Sequence, residues 1–351
     1  MTKYKLDKQV QERLDIINEL NIKIEEMSPN EARQIPWTAG DGDEIPDVGC
    51  VVEIGADGPF GPIPMYHYLP KDAAYNDVLP AIVYFHGGGW VVGSRNGHDI
   101  LCRHLANTSG CRVFSVEYRL SPDFKFPVPL EDSYSATKFI SDNCKELFVD
   151  SKKIIVAGDS AGGNIAAVLA IMAREDTNLN IIYQILLYPV IDGSKDYKSW
   201  KENAEGYILS SNLMNWFYEL YLTSNKERND WRVSPILAED LSNLPPCYIV
   251  TILSDILRDE GRDYVSKLKE AGNNVEHIEY DNAVHGFMSW PLDIKITKKA
   301  IEDVSKSIMK VVNLYIFLQI LLFLLLISLP QESQANQNRM PEKHETSLSI
   351  Q

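Results

Sequence analysis

Lys153-Ile154-Ile155-Val156-Ala157-Gly158-Asp159-Ser160-Ala161-Gly162-Gly163-Asn164-Ile165-Ala166-Ala167 is the stretch on which the fold turns. The apolar run 153–157 reads as a buried strand and the segment from Gly163 as the start of a helix, so Gly158-Asp159-Ser160-Ala161-Gly162 falls on a strand-to-helix turn. A serine stands exposed at such a turn only if the residues two before and two after it let the backbone bend sharply. Ser160 is therefore the candidate nucleophile, with Gly158 and Gly162 as the required small residues. An ordinary glycine-rich turn capped by Asp159 or Ser160 would share this pattern, so partners elsewhere in the chain decide.

One partner lies upstream. His86-Gly87-Gly88-Gly89-Trp90 follows the strand-like run Ala81-Ile82-Val83-Tyr84-Phe85. Consecutive glycines leave backbone N–H groups unshielded by any Cβ, as a site needs if it is to hold a developing oxyanion. The loop is read as that donor loop, with the His86 imidazole suited to orienting backbone.

A hydrolase built this way needs a carboxylate and then a histidine C-terminal to its serine. The run Cys247-Tyr248-Ile249-Val250-Thr251 leads to Ser254-Asp255-Ile256-Leu257-Arg258-Asp259-Glu260, and the run 275–280 leads to Asp281-Asn282-Ala283-Val284-His285-Gly286-Phe287. Asp255, the first carboxylate beyond its strand, is the candidate acid. Asp259 and Glu260 compete with it but read as the first turn of a helix over 260–271. His285 is the candidate base. His277 sits in a strand pattern and His98 and His104 in a helical one, so these read as structural or solvated, and His67 and His344 have no motif around them.

With these pieces in place the chain resembles the hormone-sensitive-lipase-like esterases of the α/β-hydrolase superfamily over most of residues 1–310. The resemblance rests on 86–89, 158–164, Asp255 to Gly261 and His285-Gly286-Phe287, in family order, with further matches at Glu117-Tyr118-Arg119-Leu120-Ser121-Pro122 and Phe126-Pro127. Ile256 stands where many members have proline. The resemblance implies a triad of Ser160, Asp255 and His285. It also implies an oxyanion hole from the N–H groups of Gly88, Gly89 and Ala161, with His86, Gly87, Gly158, Asp159 and Gly162 as motif positions.

At 351 residues, 45% apolar and 24% charged, the chain is long enough for one large core. Apolar runs at 81–85, 112–117, 153–157, 181–188, 246–251 and 275–280 alternate with helical spacing. This is the pattern of an α/β fold, a mostly parallel sheet with helices on both faces. Segments 48–54 and 64–69 read as an antiparallel hairpin turning at Ala56-Asp57-Gly58. The expected organisation is an N-terminal helical cap segment (1–45), a catalytic domain (46–310) and a cap insertion (192–234) rich in aromatics. Within 1–45, an amphipathic helix over 6–22 would bury Leu14, Ile17 and Leu20, and a second helix would begin at Ser28-Pro29-Asn30-Glu31.

The net charge of −15 disfavours nucleic acid, whose phosphates it would repel, and points to neutral small-molecule esters as substrates. Five scattered cysteines, with no C-x-x-C, provide no zinc site, and no cofactor is called for. Their odd number, with the charged residues 1–30, places the catalytic domain in a reducing, cytoplasmic setting.

Residues 311–330 (VVNLYIFLQILLFLLLISLP) carry no charge and are long enough to span a bilayer. After Lys298, Lys299, Lys306 and Lys310 they read as a tail anchor holding the catalytic domain on the cytoplasmic side. The open alternatives are a non-native extension, or a buried or partner-binding helix that completes a last core helix over 294–313. Residues 331–351 read as a disordered polar tail. Nothing in the sequence specifies an oligomeric state.

The leading expectation is a serine carboxylic-ester hydrolase for short-to-medium acyl chains. An arylacetamide-deacetylase-like amidase or a lipid-ester hydrolase would use the same site. A non-catalytic hydrolase-fold receptor is disfavoured by the intact Ser160, Asp255 and His285.

Overall fold

A computed structural model describes residues 3–35, 44–176 and 178–328, with only the backbone described for residue 316 and residues 318–328. The N-terminal part contributes α1 (Lys8–Glu19) and α2 (Pro29–Ala32). The sheet-bearing part follows as β1 (Cys50–Gly58), β2 (Gly61–Leu69), β3 (Leu79–Phe85), α3 (Asp99–Ser109), β4 (Arg112–Val116), α4 (Val128–Asp142), β5 (Val149–Asp159) and α5 (Ala161–Glu175). It continues through β6 (Ile181–Leu187), α6 (Lys198–Glu202), α7 (Ser211–Tyr221), β7 (Cys247–Ile252), α8 (Arg258–Glu270), β8 (Val275–Tyr280) and α9 (Lys295–Ser328).

The eight strands form one sheet in the order β1-β2-β4-β3-β5-β6-β7-β8. β1 and β2 pair antiparallel, β2 meets β4 antiparallel, and every later pairing is parallel. The alternation of apolar runs and helices thus produced the expected α/β-hydrolase architecture. β6 and β7 are buried at every position, as continuous apolar runs covered on both faces should be, whereas the edge strand β8 has no fully buried position.

Two local expectations needed correction. Asp57-Gly58 is a turn dipeptide, yet Ala56-Asp57-Gly58 closes β1 and the reversal falls at Pro59-Phe60, because Gly58 pairs with Gly61. Gly61 takes φ 115°, a conformation that only glycine adopts without strain, and so fixes the turn two residues later. In α1, capped by the Asp7 carboxylate on the N–H groups of Gln9 and Val10, the buried stripe is Leu6, Val10 and Leu14. Leu14 was expected there, but Leu20 is exposed and Ile17 is at the surface. The second helix does begin at Ser28, through a reciprocal capping box with Glu31.

The chain divides into a unit Met1–Val311 and a second unit Val312–Gln351. The backbone of α9 is helical to Ser328. Among the described residues no helix is long and apolar enough to cross a membrane. The anchor expected at 311–330 falls largely on side chains outside the described residues, and the tail 331–351 lies wholly outside them.

Candidate active site

β5 ends at Asp159 and α5 starts at Ala161, so Ser160 alone makes the turn, with φ 53° and ψ −117°. A non-glycine residue holds that conformation only where its surroundings over-determine it. Here the Ser160 N–H donates to Leu187 O at 2.9 Å, and its carbonyl accepts from Asn164 N at 3.0 Å and Val190 N at 3.2 Å. The small residues serve the bend as expected: a Cβ on Gly158 would meet Phe85 O at 2.6 Å, and one on Gly162 would meet His86 O at 2.7 Å.

The three chemical residues converge from separate strand ends. His285 Nε2 lies 2.9 Å from Ser160 Oγ, and His285 Nδ1 lies 2.5 Å from Asp255 Oδ2. Because Asp255 accepts at Nδ1, the proton of the neutral ring belongs there, and Nε2 faces the serine as an acceptor. Asp255 Oδ1 also accepts from Leu257 N at 3.0 Å, and Ser254 Oγ bridges to Ala283 O at 2.7 Å, joining the two loops that carry acid and histidine. Tyr188 packs edge-on to the imidazole, centroids 5.0 Å apart.

The competing acids have other tasks. Asp259 accepts from Ser199 N at 2.9 Å and from Arg258 Nε at 2.7 Å. Glu260, fully buried, accepts from Ile191 N at 2.8 Å, Asp192 N at 3.3 Å and Trp200 Nε1 at 3.3 Å. Both secure α6, and burial pushes the Glu260 carboxyl up to about 8.

The glycine loop sits directly above the elbow. Among the described residues, none accepts a hydrogen bond from the N–H groups of Gly88, Gly89 or Ala161, so these donors are free for a ligand. Gly88 and Gly89 have φ 117° and 58°. The loop is braced on all sides. Gly87 N donates to Asp159 Oδ1 at 2.9 Å, Tyr118 Oη to His86 O at 2.6 Å, and Arg33 Nε to Val91 O at 2.9 Å. Trp90 stacks on Tyr221 of α7, 4.2 Å between centroids. His86 donates through Nδ1 to Gly87 O at 2.8 Å and stacks on Tyr118, so it orients backbone as expected. Burial and the nearby His98 push its pKa down to about 4.

A narrow cleft opens over Ser160 and His285. One wall is apolar and comes from α7 and the residues before it: Ile208, Leu209, Leu213, Met214 and Phe217. Val92 and Trp290 also line it. Of the aromatics in 192–234, Phe217 alone lines this cleft, while Trp200, Tyr218 and Tyr221 are buried packing residues. Among the described residues no group of His, Cys, Asp or Glu is arranged to hold a metal.

Sequence reasoning gave no site role to Tyr84, His98, Tyr118, Arg33 or Phe217. Tyr118 lay within a quoted motif, so its signal was present. The others owe their place to neighbours distant in sequence. His277, read as structural or solvated, bonds Thr251 Oγ1 through Nε2 at 2.8 Å, and His67, which has no motif around it, stacks on Phe114.

Residues 82–289 match the family model described as the alpha/beta hydrolase fold. The chain is 36% identical over 250 residues to the carboxylesterase NlhH of Mycobacterium tuberculosis, covering 70% of this chain and 77% of that one. It belongs to the hormone-sensitive-lipase-like esterases of the α/β-hydrolase superfamily. Within that family it is 30% identical over 294 residues to the arylacetamide deacetylase of Oryctolagus cuniculus, covering 66% of this chain and 74% of the relative. A thermostable esterase from Pseudomonas putida superimposes with a TM-score of 0.83 at 32% identity, across 88% of this chain and 98% of that structure.

Proposed function

We propose that this esterase hydrolyses small neutral carboxylic esters of short-to-medium acyl chain through an acyl-enzyme on Ser160. The observation that carries the proposal is the unbroken chain from Ser160 Oγ through His285 to Asp255, 2.9 Å and 2.5 Å. His285 Nε2 takes the hydroxyl proton as Oγ attacks the ester carbonyl, and Asp255 holds the ring and stabilises the imidazolium that forms. The free N–H groups of Gly88, Gly89 and Ala161 receive the oxyanion. As the tetrahedral intermediate collapses, His285 returns the proton to the departing alcohol. Water, deprotonated by the same nitrogen, then attacks the acyl-enzyme and releases the acid. The apolar wall of the cleft, with no lysine or arginine among its described lining residues, supports uncharged acyl groups.

Ser160→Ala tests the assignment: turnover of p-nitrophenyl acetate should vanish, and near wild-type turnover would overturn it. The deacetylase relative supports a second reading, an amidase using the same site. p-Nitrophenyl esters of rising chain length assayed beside an arylacetamide separate the two. The N-terminal helices and 192–234 form the proposed cap. For its setting we infer a cytoplasmic catalytic domain with membrane association through 311–330, supported by the uncharged run behind its lysines. Fractionating cells that express the full chain or a chain ending at Asn313 tests this; equal solubility of both removes the anchor.

A further inference from the structure

His98 precedes α3 and is 3% exposed. Its Nδ1 lies 3.1 Å from the carbonyl oxygen of Ser94, and its Nε2 lies 3.1 Å from Asp159 Oδ1, at ion-pair distance but out of hydrogen-bond alignment. A carbonyl and a carboxylate can only accept, whereas a neutral imidazole has one N–H and must turn a lone pair toward one of them. Only the imidazolium donates to Ser94 through Nδ1 and also sets positive charge, not a lone pair, against the Asp159 carboxylate. The same Asp159 Oδ1 accepts from Tyr84 Oη at 2.8 Å and from Gly87 N at 2.9 Å. Asp159 is 4% exposed, and among the described residues no lysine or arginine pairs with it. A carboxylate so buried is costly without a counter-charge, and His98 is placed to be that charge.

We propose that His98 is a positioning residue: held as an imidazolium between Ser94 and Asp159, it fixes the carboxylate that anchors Gly87 and thereby sets the glycine loop over Ser160. This rests on the reading of that loop as the oxyanion hole. Other ionisable groups around His98 are accounted for. His86 and Tyr84 face it with centroids 5.7 Å and 6.0 Å away, and burial holds His86 neutral and Tyr84 protonated. Glu117 beyond β4 is tied to Arg95, its Oε2 accepting from the Arg95 N–H at 2.9 Å, and Asp99 on α3 is tied to Arg103 at 2.6 Å. The Cys102 thiol is kept protonated by burial. Burial opposes charge on His98 itself, but Asp159 outweighs it and holds the ring above the ordinary histidine value. Loss of its proton at alkaline pH leaves Asp159 unpaired and loosens Gly87, so turnover falls on the alkaline side while substrate affinity hardly changes.

The test uses the full chain labelled with ¹⁵N-histidine, alongside kcat for p-nitrophenyl acetate across pH. The His98 signals, assigned by their loss in His98→Gln, should show both ring nitrogens protonated near neutrality and a single proton in Asp159→Asn. His98→Gln should lose about tenfold or more in kcat with KM within about twofold, and its alkaline limb should be displaced from the wild type. A neutral His98 ring at neutral pH overturns the proposal, as does a His98→Gln enzyme with wild-type kcat and pH profile. Should that variant not fold, the wild-type alkaline limb must coincide with the titration of the ring that changes state in Asp159→Asn; a mismatch overturns the proposal. A wild type inactive on every ester would instead remove the ester-hydrolase reading and leave the ring-protonation result to stand by itself.

Discussion

Glu260 Oε1 accepts the backbone N–H of Ile191 at 2.8 Å, joining the first turn of α8 to the point where the chain leaves β6 for α6. The carboxyl is wholly buried, and its pKa in the folded chain is about 8, against 4.5 for the free side chain. Between these values the unfolded chain releases a proton that the folded chain keeps, so this group makes stability fall as pH rises through that window and leaves it flat outside. Glu260→Gln removes the titration. Gln places an amide beside Trp200 Nε1, a fixed cost at every pH, but its stability relative to wild type should improve steadily from about pH 5 to about pH 8 and then level off. Urea unfolding of both proteins at several pH values reads this directly, and a difference independent of pH would count against a protonated Glu260.

Gly162→Ala is expected to be severe. The new Cβ is driven into the carbonyl oxygens of Phe85 and His86, and both obstacles are backbone. Nothing near them yields without moving β3 or the elbow, so the variant should lose about 2 kcal/mol or more and nearly all turnover. Gly110→Ala is the control. Gly110 ends α3 at φ 68° with open space around it, so alanine there should cost about 1 kcal/mol and leave kcat unchanged. Thermal melts and kcat on the two variants test the contrast.

The choice among Asp255, Asp259 and Glu260 has a kinetic signature. Asp255→Asn keeps the shape but supplies an amide N–H at the position where His285 Nδ1 must donate, and kcat should drop by about 10⁴. Asp259→Asn weakens contacts to Ser199 and Arg258, and should lower the melting temperature while kcat changes less than about threefold. Comparable kcat losses in both would mean that the acid has been misassigned.

The elements of the candidate site were legible because each is a local device. The bend at Ser160 demands its glycines, the donor loop demands bare N–H groups, and each lies at the end of a strand that the apolar pattern marks. His98 was read as structural because a helix-side histidine says nothing of its neighbour; Asp159, which gives it a role, is 61 positions away and reached only when β3 and β5 pair in register. Glu260 was read correctly as part of a helix turn. Its burial depends on Ile191 and Trp200 folding back across it. The slip at Ala56-Asp57-Gly58 has the opposite origin: a strong local turn signal was overridden by the register of two paired nine-residue strands.

Phe217 of α7 is the cleft residue whose removal should alter specificity. A Cβ built on Gly89 points into its ring, 2.5 Å from Cδ2, so the phenyl group lies against the loop proposed to hold the oxyanion and leaves little room beside the acyl carbonyl. Because α7 also carries Tyr221, stacked on Trp90, the helix itself should stay in place when one ring is cut back. Phe217→Ala opens space for several methylenes, each contributing about 0.8 kcal/mol when buried. The ratio of kcat/KM for p-nitrophenyl octanoate over acetate should therefore rise by about tenfold or more, since a pocket that buries two further methylenes already supplies that factor. Truncating a buried phenylalanine costs about 3 kcal/mol or more in stability, so the assay belongs well below the melting temperature, with Phe217→Leu as a milder companion showing an intermediate ratio. An unchanged ratio in both variants would place the acyl chain elsewhere in the cleft, against Val92 and Trp290.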